Sequence, residues 1–164
     1  YKRQDHAGGA FNLSQKYKIT IEGPHKEDEF LISALEEHGN MDGLSDSKNF
    51  LPDRWLEDGD QLELDGINFD VYHCPGHTPG HVIFHNKEAK FAIVGDVLFQ
   101  GSIGRTDFPR GNHEDLINAI RTKLWPLGDV VTFVPGHGPV STFGQERQTN
   151  PYVADQLFKT SNSE

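Results

Sequence analysis

Three turns of this chain carry residue types that bind metal ions, and one strand end carries a carboxylate. The turns are Asp5-His6, residues 75–81 and residues 135–138, and the carboxylate is Asp96. Imidazole nitrogens and carboxylate oxygens are the ligands that zinc and related transition metals accept. Groups of this kind on distant loops predict a metal-dependent hydrolase whose site is assembled by the fold.

The second turn contains two histidines, His77 and His81, four residues apart. On a helix that spacing would place both on one face, as in helical zinc sites. Pro79 and Gly80 exclude such a helix. Both histidines must therefore lie on a turn that enters a strand, and we expect only one of them to reach a metal directly. The alternative for either residue is a histidine that only caps a turn.

Asp96 and His137 each follow an apolar run that predicts a buried strand. A carboxylate at such a place needs a compensating partner, because an unpaired buried charge is very costly. A metal, a salt bridge or a helix cap would serve. Two strands that each deliver a ligand-type residue at a tight glycine turn favour a shared site. Asp5-His6 precedes a predicted helix, and an N-cap Asp beside an exposed His is its alternative.

The elements that must position these residues predict a single α/β domain over residues 1–164, with the site at strand ends. We expect helices over 7–18, 25–38, from 112 or 113 to about 124, and over 141–147, and strands over 19–22, 82–84, 91–94 and 130–134. Residues 61–72 predict a hairpin with one buried face and a two-residue turn at Asp65-Gly66. Because the chain opens directly on a motif, we expect a fragment or a processed chain.

Composition restricts the partners. The net charge of −10 argues against nucleic acid and against an anionic membrane surface. No apolar run has membrane-spanning length, and the single cysteine, Cys74, excludes an internal disulfide. We expect a soluble, cytoplasmic protein in which Cys74 packs rather than attacks. A small anionic substrate stays compatible, because Arg105 and Arg110 can supply local positive charge. The oligomeric state is left open.

Taken in order, the motifs resemble those of the metallo-β-lactamase superfamily. The stretches that carry the resemblance are Asp5-His6-Ala-Gly-Gly, residues 75–81, Gly95-Asp96 and residues 135–138. Residues 104–110, with Glu146-Arg147 and Asn150-Pro151, are similar to the short glyoxalase II branch, the hydroxyacylglutathione hydrolases. The resemblance implies an αββα sandwich with metals at one edge of its two sheets. The family's opening strands are missing, so we expect the N-terminal part of the fold to be absent.

The resemblance also implies a ligand set, which comprises Asp5, His6, His77, Asp96 and His137. Asp5, His6 and His137 would form one metal site with Asp96 as the bridge, and the other site would keep His77 and the same bridge.

Two positions depart from the family's H-x-H-x-D-H motif, because Tyr1 and Arg3 stand where it has its leading histidines. Arginine is always protonated and only donates. The family holds up to two zinc ions, and here we expect weak or single occupancy, with iron or manganese as alternative metals.

The implied activity is hydrolysis of S-2-hydroxyacylglutathione to glutathione and a 2-hydroxy acid by metal-bound water, without a protein nucleophile. His81 would orient a ligand histidine. Arg105 would bind a substrate carboxylate, or else form a salt bridge with Asp107. The missing histidines put the activity of this chain in doubt. Two alternatives remain: a persulfide dioxygenase-like enzyme with mononuclear iron, and a catalytically inactive truncated chain.

Overall fold

A computed structural model describes residues 4–35 and 47–158, with the first two of these as backbone only. The chain divides into two compact units, Tyr1–Glu57 and Asp58–Glu164. The single domain over residues 1–164 stays a prediction. Tyr1 and Arg3 lie outside the described residues. Among the described residues, none of the helices combines the length and the apolar character that crossing a bilayer requires.

The first unit is built from short helices: α1 (Gln4–Ala7), α2 (Ala10–Tyr17), a 3₁₀ turn (Lys26–Asp28) and α3 (Glu29–Ile32). The predicted helix over 7–18 is confirmed except for a break at the Gly8-Gly9 turn. The predicted helix over 25–38 is shorter than expected where it is described, because it starts as a 3₁₀ turn. The ring of His25 caps that turn by accepting a hydrogen bond from Glu27 N at 3.3 Å. Residues 36–38 lie outside the described part.

The strand predicted over 19–22 is wrong. The segment forms one isolated β-bridge, from Glu22 to Arg54, and no continuous ladder, and Ile19 is 55% exposed. Alternating apolar residues make a strand only where a neighbouring strand completes the backbone hydrogen bonds.

The second unit contains a six-stranded sheet, whose strands are β1 (Gln61–Leu64), β2 (Ile67–His73), β3 (Val82–Asn86), β4 (Phe91–Gly95), β7 (Thr132–Pro135) and β8 (Ser141–Thr142). Their order across the sheet is β1-β2-β3-β4-β7-β8. A separate two-stranded ribbon consists of β5 (Leu98–Phe99) and β6 (Ser102–Ile103). The helical elements are α4 (His113–Ala119), a wider helical turn (Ile120–Leu124), a 3₁₀ turn (Trp125–Leu127), α5 (Phe143–Thr149) and a last 3₁₀ turn (Asp155–Phe158).

The hairpin predicted over 61–72 is confirmed, and its turn residues Asp65 and Gly66 both have positive φ, at 51° and 81°. Positive φ at both central residues defines the type I′ turn that two-residue hairpins favour. The predicted buried face is wrong at the tip, where Leu64 is 68% and Ile67 is 51% exposed, whereas Val71 is fully buried. Alternation shows which side chains share a face. It does not show how far along the strand that face is covered.

Two predicted boundaries shift by two residues. The strand predicted over 130–134 starts at Thr132, and Val130 is 65% exposed. The helix predicted over 141–147 starts at Phe143, because Thr142 is its N-cap and accepts a hydrogen bond from Gln145 N at 3.2 Å. A threonine that caps a helix is non-helical, which leaves it free to pair in β8.

One helix covers the centre of the sheet and fixes the end where the site lies. The predicted helix from residue 112 or 113 is confirmed, since Asn112 caps α4 by accepting from the backbone N–H groups of Glu114 and Asp115. Apolar side chains of α4, the turn after it and the inner strands form one buried cluster, which includes Ile83, Ala92, Val94, Leu116, Ile120, Leu124 and Phe133.

Candidate metal centre

Two parallel strands bring Asp96 and His137 together. β4 and β7 pair in parallel, and their ends are joined by a hydrogen bond from Gly136 N to Gly95 O at 2.8 Å. Since parallel strands end at the same sheet edge, the residues that follow them are neighbours. His137 Nε2 lies 3.8 Å from Asp96 Oδ1.

His77 reaches the same place from the turn between β2 and β3. Cys74 N donates to His81 O at 2.7 Å and so closes the turn. Asn112 N donates to Gly76 O at 2.8 Å, which attaches the turn to the start of α4. A Cβ on Gly76 would lie 2.4 Å from the Leu116 backbone, so the approach requires glycine. His77 Nε2 lies 3.4 Å from Asp96 Oδ2.

Asp96 thus faces two histidines with two different oxygens. Both separations exceed the 2.7–3.2 Å of an ordinary hydrogen bond. Two ligand atoms about 2.1 Å from one ion at a tetrahedral angle are about 3.4 Å apart. The 3.4 Å between His77 Nε2 and Asp96 Oδ2 therefore suits two atoms that share a metal ion, and carboxylate with imidazole is a donor set for zinc or iron. His77 and Asp96 are buried, whereas the side chain of His137 is 58% exposed.

The tautomer of His77 follows from its other nitrogen. Nδ1 lies 2.7 Å from the carbonyl oxygen of Arg105. A carbonyl oxygen only accepts, so Nδ1 carries a proton and Nε2 is the nitrogen that faces Asp96. Metal-binding histidines are oriented in this way by a backbone carbonyl.

His81 is not directed at the cluster in the way His77 is. It is buried, and its Nε2 lies 3.1 Å from Val94 O, to which it donates. Its ring is perpendicular to that of His77 at 5.9 Å, and a Cβ on Gly95 would lie 2.7 Å from its Nε2. His81 therefore supports the strand end that precedes Asp96. Its predicted role of orienting a ligand histidine stays a prediction.

Residues 104–108 cover the cluster from the side of His77. A Cβ on Gly104 would lie 1.9 Å from Asp96 O and 3.3 Å from His77 Cβ. The ring of Phe108 contacts His77 edge to face at 5.2 Å, and the Arg105 guanidinium lies 4.6 Å from the centre of the Phe108 ring.

The guanidinium of Arg105 lies on the surface and pairs with Asp107. Nε donates to Oδ1 at 2.7 Å and Nη2 donates to Oδ2 at 2.5 Å. The hydrogen bond from Arg105 lowers the pKa of the exposed Asp107 carboxyl to about 2. The salt bridge weighed as one reading of Arg105 is therefore present, and the substrate-binding role stays a prediction.

The remaining predicted ligands belong to the first unit. The side chain of Asp5 lies outside the described residues, and His6 is exposed on α1. Their participation in the metal centre stays a prediction. Cys74 is fully buried, and burial raises its pKa to about 12, so the expected packing role is confirmed.

Sequence patterns missed the groups that orient His77. The Arg105 carbonyl is a backbone group, so its contact with His77 cannot be predicted from residue type. Phe108 has no sequence feature that distinguishes it from other aromatic residues in loops. Gly104 was the available signal, because a glycine after a strand can mark close backbone approach.

Comparison with known proteins decides the family. The model of the metallo-beta-lactamase superfamily matches residues 4–137. The chain belongs to this superfamily. The predicted fold class is confirmed, since a solved metallo-beta-lactamase shares the fold at a TM-score of 0.80.

Two relatives are named as a hydroxyacylglutathione hydrolase and as a probable metallo-hydrolase. The chain is 51% identical over 150 residues to hydroxyacylglutathione hydrolase GloC of Haemophilus influenzae, covering 91% of this chain and 71% of that protein. It is 33% identical to the probable metallo-hydrolase YqgX of Bacillus subtilis, with the same two coverages. The prediction of a metal-dependent hydrolase is confirmed at the level of the family.

Two solved structures cover 90% of this chain at a TM-score of 0.80. One is BLEG-1 B3 metallo-beta-lactamase, 32% identical, with 71% of its own length covered. The other is TTHA1623 in a di-iron-bound form, 36% identical, with 72% covered.

Proposed function

We propose that this chain hydrolyses a thioester of glutathione, S-2-hydroxyacylglutathione, to glutathione and a 2-hydroxy acid. The observation that carries the proposal is the placement of Asp96, whose two oxygens face His77 and His137 at 3.4 and 3.8 Å. The identity of 51% to a hydroxyacylglutathione hydrolase supports the choice of substrate class.

The residues that would bind the metal are His77, Asp96 and His137, with Asp5 and His6 joining them by prediction. Zinc or iron fits these donors, and the di-iron form of TTHA1623 supports iron as one of the two. A divalent ion bound to such ligands lowers the pKa of water to about 7. Weak or single occupancy stays our expectation.

The protein side chains prepare the site for this chemistry. The Arg105 carbonyl orients the ring of His77, and Asp96 is buried, so both ligands are held in position before a substrate arrives. Preorganised polar groups need no rearrangement as charge develops. His137 is half exposed at the rim, which leaves the centre accessible on that side.

Cleavage of the thioester bond requires few catalytic groups from the protein. Water adds to the carbonyl carbon, the C–S bond breaks, and the products are a thiol and a carboxylic acid. A thiolate is a good leaving group, so a strong general acid is not required. Arg105 belongs to the segment 104–108, which covers the cluster of metal ligands. It is our candidate for pairing with a carboxylate of the glutathione moiety.

The test is thiol release from S-2-hydroxyacylglutathione by the zinc- or iron-loaded chain. Asp96→Asn should reduce the rate at least 100-fold, beyond the roughly 10- to 100-fold range of residues that only orient ligands. His113→Ala removes an exposed histidine at the start of α4 and should leave the rate unchanged.

Two further substrates separate the proposal from its alternatives. Oxygen uptake with glutathione persulfide would indicate a dioxygenase, and cleavage of a chromogenic cephalosporin would indicate a β-lactamase. A folded chain that releases no thiol with either metal would contradict the proposal.

A further inference from the structure

The ribbon of β5 and β6 connects two groups that border the metal centre. It starts after Asp96 and Val97 and ends at Ile103, which Gly104 and Arg105 follow. At its base, Gly104 N donates to Val97 O at 3.2 Å. The Asp96 carboxylate, which faces His77 Nε2, and the Arg105 carbonyl, which accepts from His77 Nδ1, therefore lie at the two ends of one ribbon.

The tip of the ribbon is attached to a buried carboxylate on α5. Glu146 is 1% exposed, and its Oε2 accepts from Gly101 N at 2.7 Å and from Asn150 Nδ2 at 2.9 Å. Its Oε1 accepts from Ser141 Oγ at 2.5 Å. Asn150 is fully buried, and its Nδ2 also donates to Ser102 O at 3.0 Å.

A buried carboxylate is stable only when hydrogen bonds replace its lost hydration. Here the donors come from three places: the ribbon tip, β8 and the residue after α5. Gly101, between the two ribbon strands, has a φ of 70°, which suits glycine, and its N–H points at Glu146. Glu146 and Asn150 therefore fix the turn of the ribbon against α5.

We propose that Glu146 and Asn150 are positioning residues for the metal centre. By fixing the ribbon tip, they keep the Asp96 carboxylate and the Arg105 carbonyl in place around His77. This inference rests on the proposed function, because it takes His77 and Asp96 as metal ligands. If the pair only anchored α5, its replacement would change stability but not the position of the groups around His77.

Glu146→Leu removes the acceptor at similar side-chain size and tests the inference in two ways. In the metal-free chain, the His77 Nδ1 proton, observed by ¹⁵N-edited NMR and assigned with His77→Ala, should exchange with water at least 10-fold faster. Zinc affinity, measured by competition with a chelator, should fall about 10- to 100-fold, as for residues that orient ligands.

Two matched variants separate positioning from general stability. Glu146→Gln can keep its oxygen towards Gly101 and Asn150 and donate its amide to Ser141 Oγ, which can accept, so both readouts should return close to wild type. Arg147→Gln removes surface ion pairs from the same helix, to Asp155 at 2.6 Å and Asp129 at 3.3 Å. It should leave both readouts unchanged even if the melting temperature falls.

The inference is overturned if Glu146→Leu lowers the melting temperature but leaves the His77 proton exchange and the zinc affinity as in wild type. If Glu146→Leu does not fold, Asn150→Ser, which withdraws the Nδ2 contacts to the ribbon, takes its place with the same expected and contrary results. Neither readout uses a thioester. A chain that binds zinc but hydrolyses nothing would end the proposed function and leave this inference standing.

Discussion

The two ends of the six-stranded sheet use glycine for different purposes. At the hairpin end, where β1 turns into β2, Gly66 has a φ of 81° and a Cβ there would meet nothing within 4 Å. At the metal end, where β4 and β7 finish, a Cβ on Gly95 would lie 2.7 Å from His81 and one on Gly104 would lie 1.9 Å from the Asp96 carbonyl. Glycine makes only a turn at the first end, whereas at the second Gly95 combines a φ of 52° with close approach and Gly104 permits close approach.

An isoleucine at each end also shows a difference in burial. Ile67 begins β2 at the hairpin end and is 51% exposed, whereas Ile83 lies at the metal end of β3 and is fully buried. Ile83 is therefore packed close to the place where ligand side chains must be held, as expected of a preorganised site. Substitutions at paired positions, one at each end of the sheet, test this difference.

The largest effect is expected from the paired isoleucines. Ile83→Ala removes a fully buried side chain from the main core cluster and should lower the free energy of unfolding by about 2–5 kcal/mol. Ile67→Ala at the exposed tip should change it by less than about 0.5 kcal/mol. Urea unfolding measures both. Equal costs would mean that the two ends are packed alike.

The paired glycines should give the next largest effect. Gly104→Ala forces a methyl group against the Asp96 backbone and should cost about 1–3 kcal/mol, with a loss of roughly 10- to 100-fold in zinc affinity. Gly66→Ala places alanine at positive φ, which costs about 1–2 kcal/mol, but should leave zinc affinity unchanged. Chelator competition and urea unfolding check the pair. Loss of zinc in Gly66→Ala would remove the distinction between the ends.

Two surface ion pairs test whether the side chain of Arg105 acts on substrate. Arg105→Ala should raise KM several-fold and leave zinc affinity intact, because the carbonyl that accepts from His77 remains. Stability should change by less than about 0.5 kcal/mol, as is usual for exposed pairs. Lys87→Ala breaks the pair with Asp70 at the hairpin end, where N and O are 3.6 Å apart. It should alter neither KM nor the zinc affinity. An unchanged KM in Arg105→Ala would remove its substrate role.

The smallest effect concerns pH and His85, at the end of β3 away from the metal. Burial lowers the pKa of His85, and the nearby Asp70 only partly opposes this. Since the unfolded value is about 6.5, the unfolded chain binds more protons once the pH falls below that value. Stability should therefore decline as the pH falls from about 6.5 towards the lower folded value. Replacing His85 with Gln should make urea unfolding less dependent on pH in that window, and an unchanged slope would contradict the assignment.

Much of the metal end could be predicted from the sequence, because its signals are local. Apolar runs that end in Gly95-Asp96 and Pro135-Gly136-His137 predict strands that deliver ligand-type residues to one edge, and the structure places Asp96 between His77 and His137. The two-residue turn at Asp65-Gly66 could likewise be predicted, since its residue types suit positive φ.

The rest depends on contacts that are distant in the chain. The carbonyl of Arg105 reaches His77 across 28 positions, and Glu146 reaches Gly101 across 45. Neither contact has a pattern in sequence. The strand expected over 19–22 failed for a related reason, because pairing depends on a partner that alternation does not reveal. Exposure at the hairpin tip likewise depends on what covers the sheet.

The central claim is that Asp96 shares metal binding with His77 and His137. Anomalous diffraction from crystals of the zinc- or iron-loaded chain tests it most directly. We predict a metal peak with an Asp96 oxygen and Nε2 of His77 or His137 both within about 2.0–2.2 Å. A metal bound elsewhere, or at this edge without Asp96 among its ligands, would contradict the account.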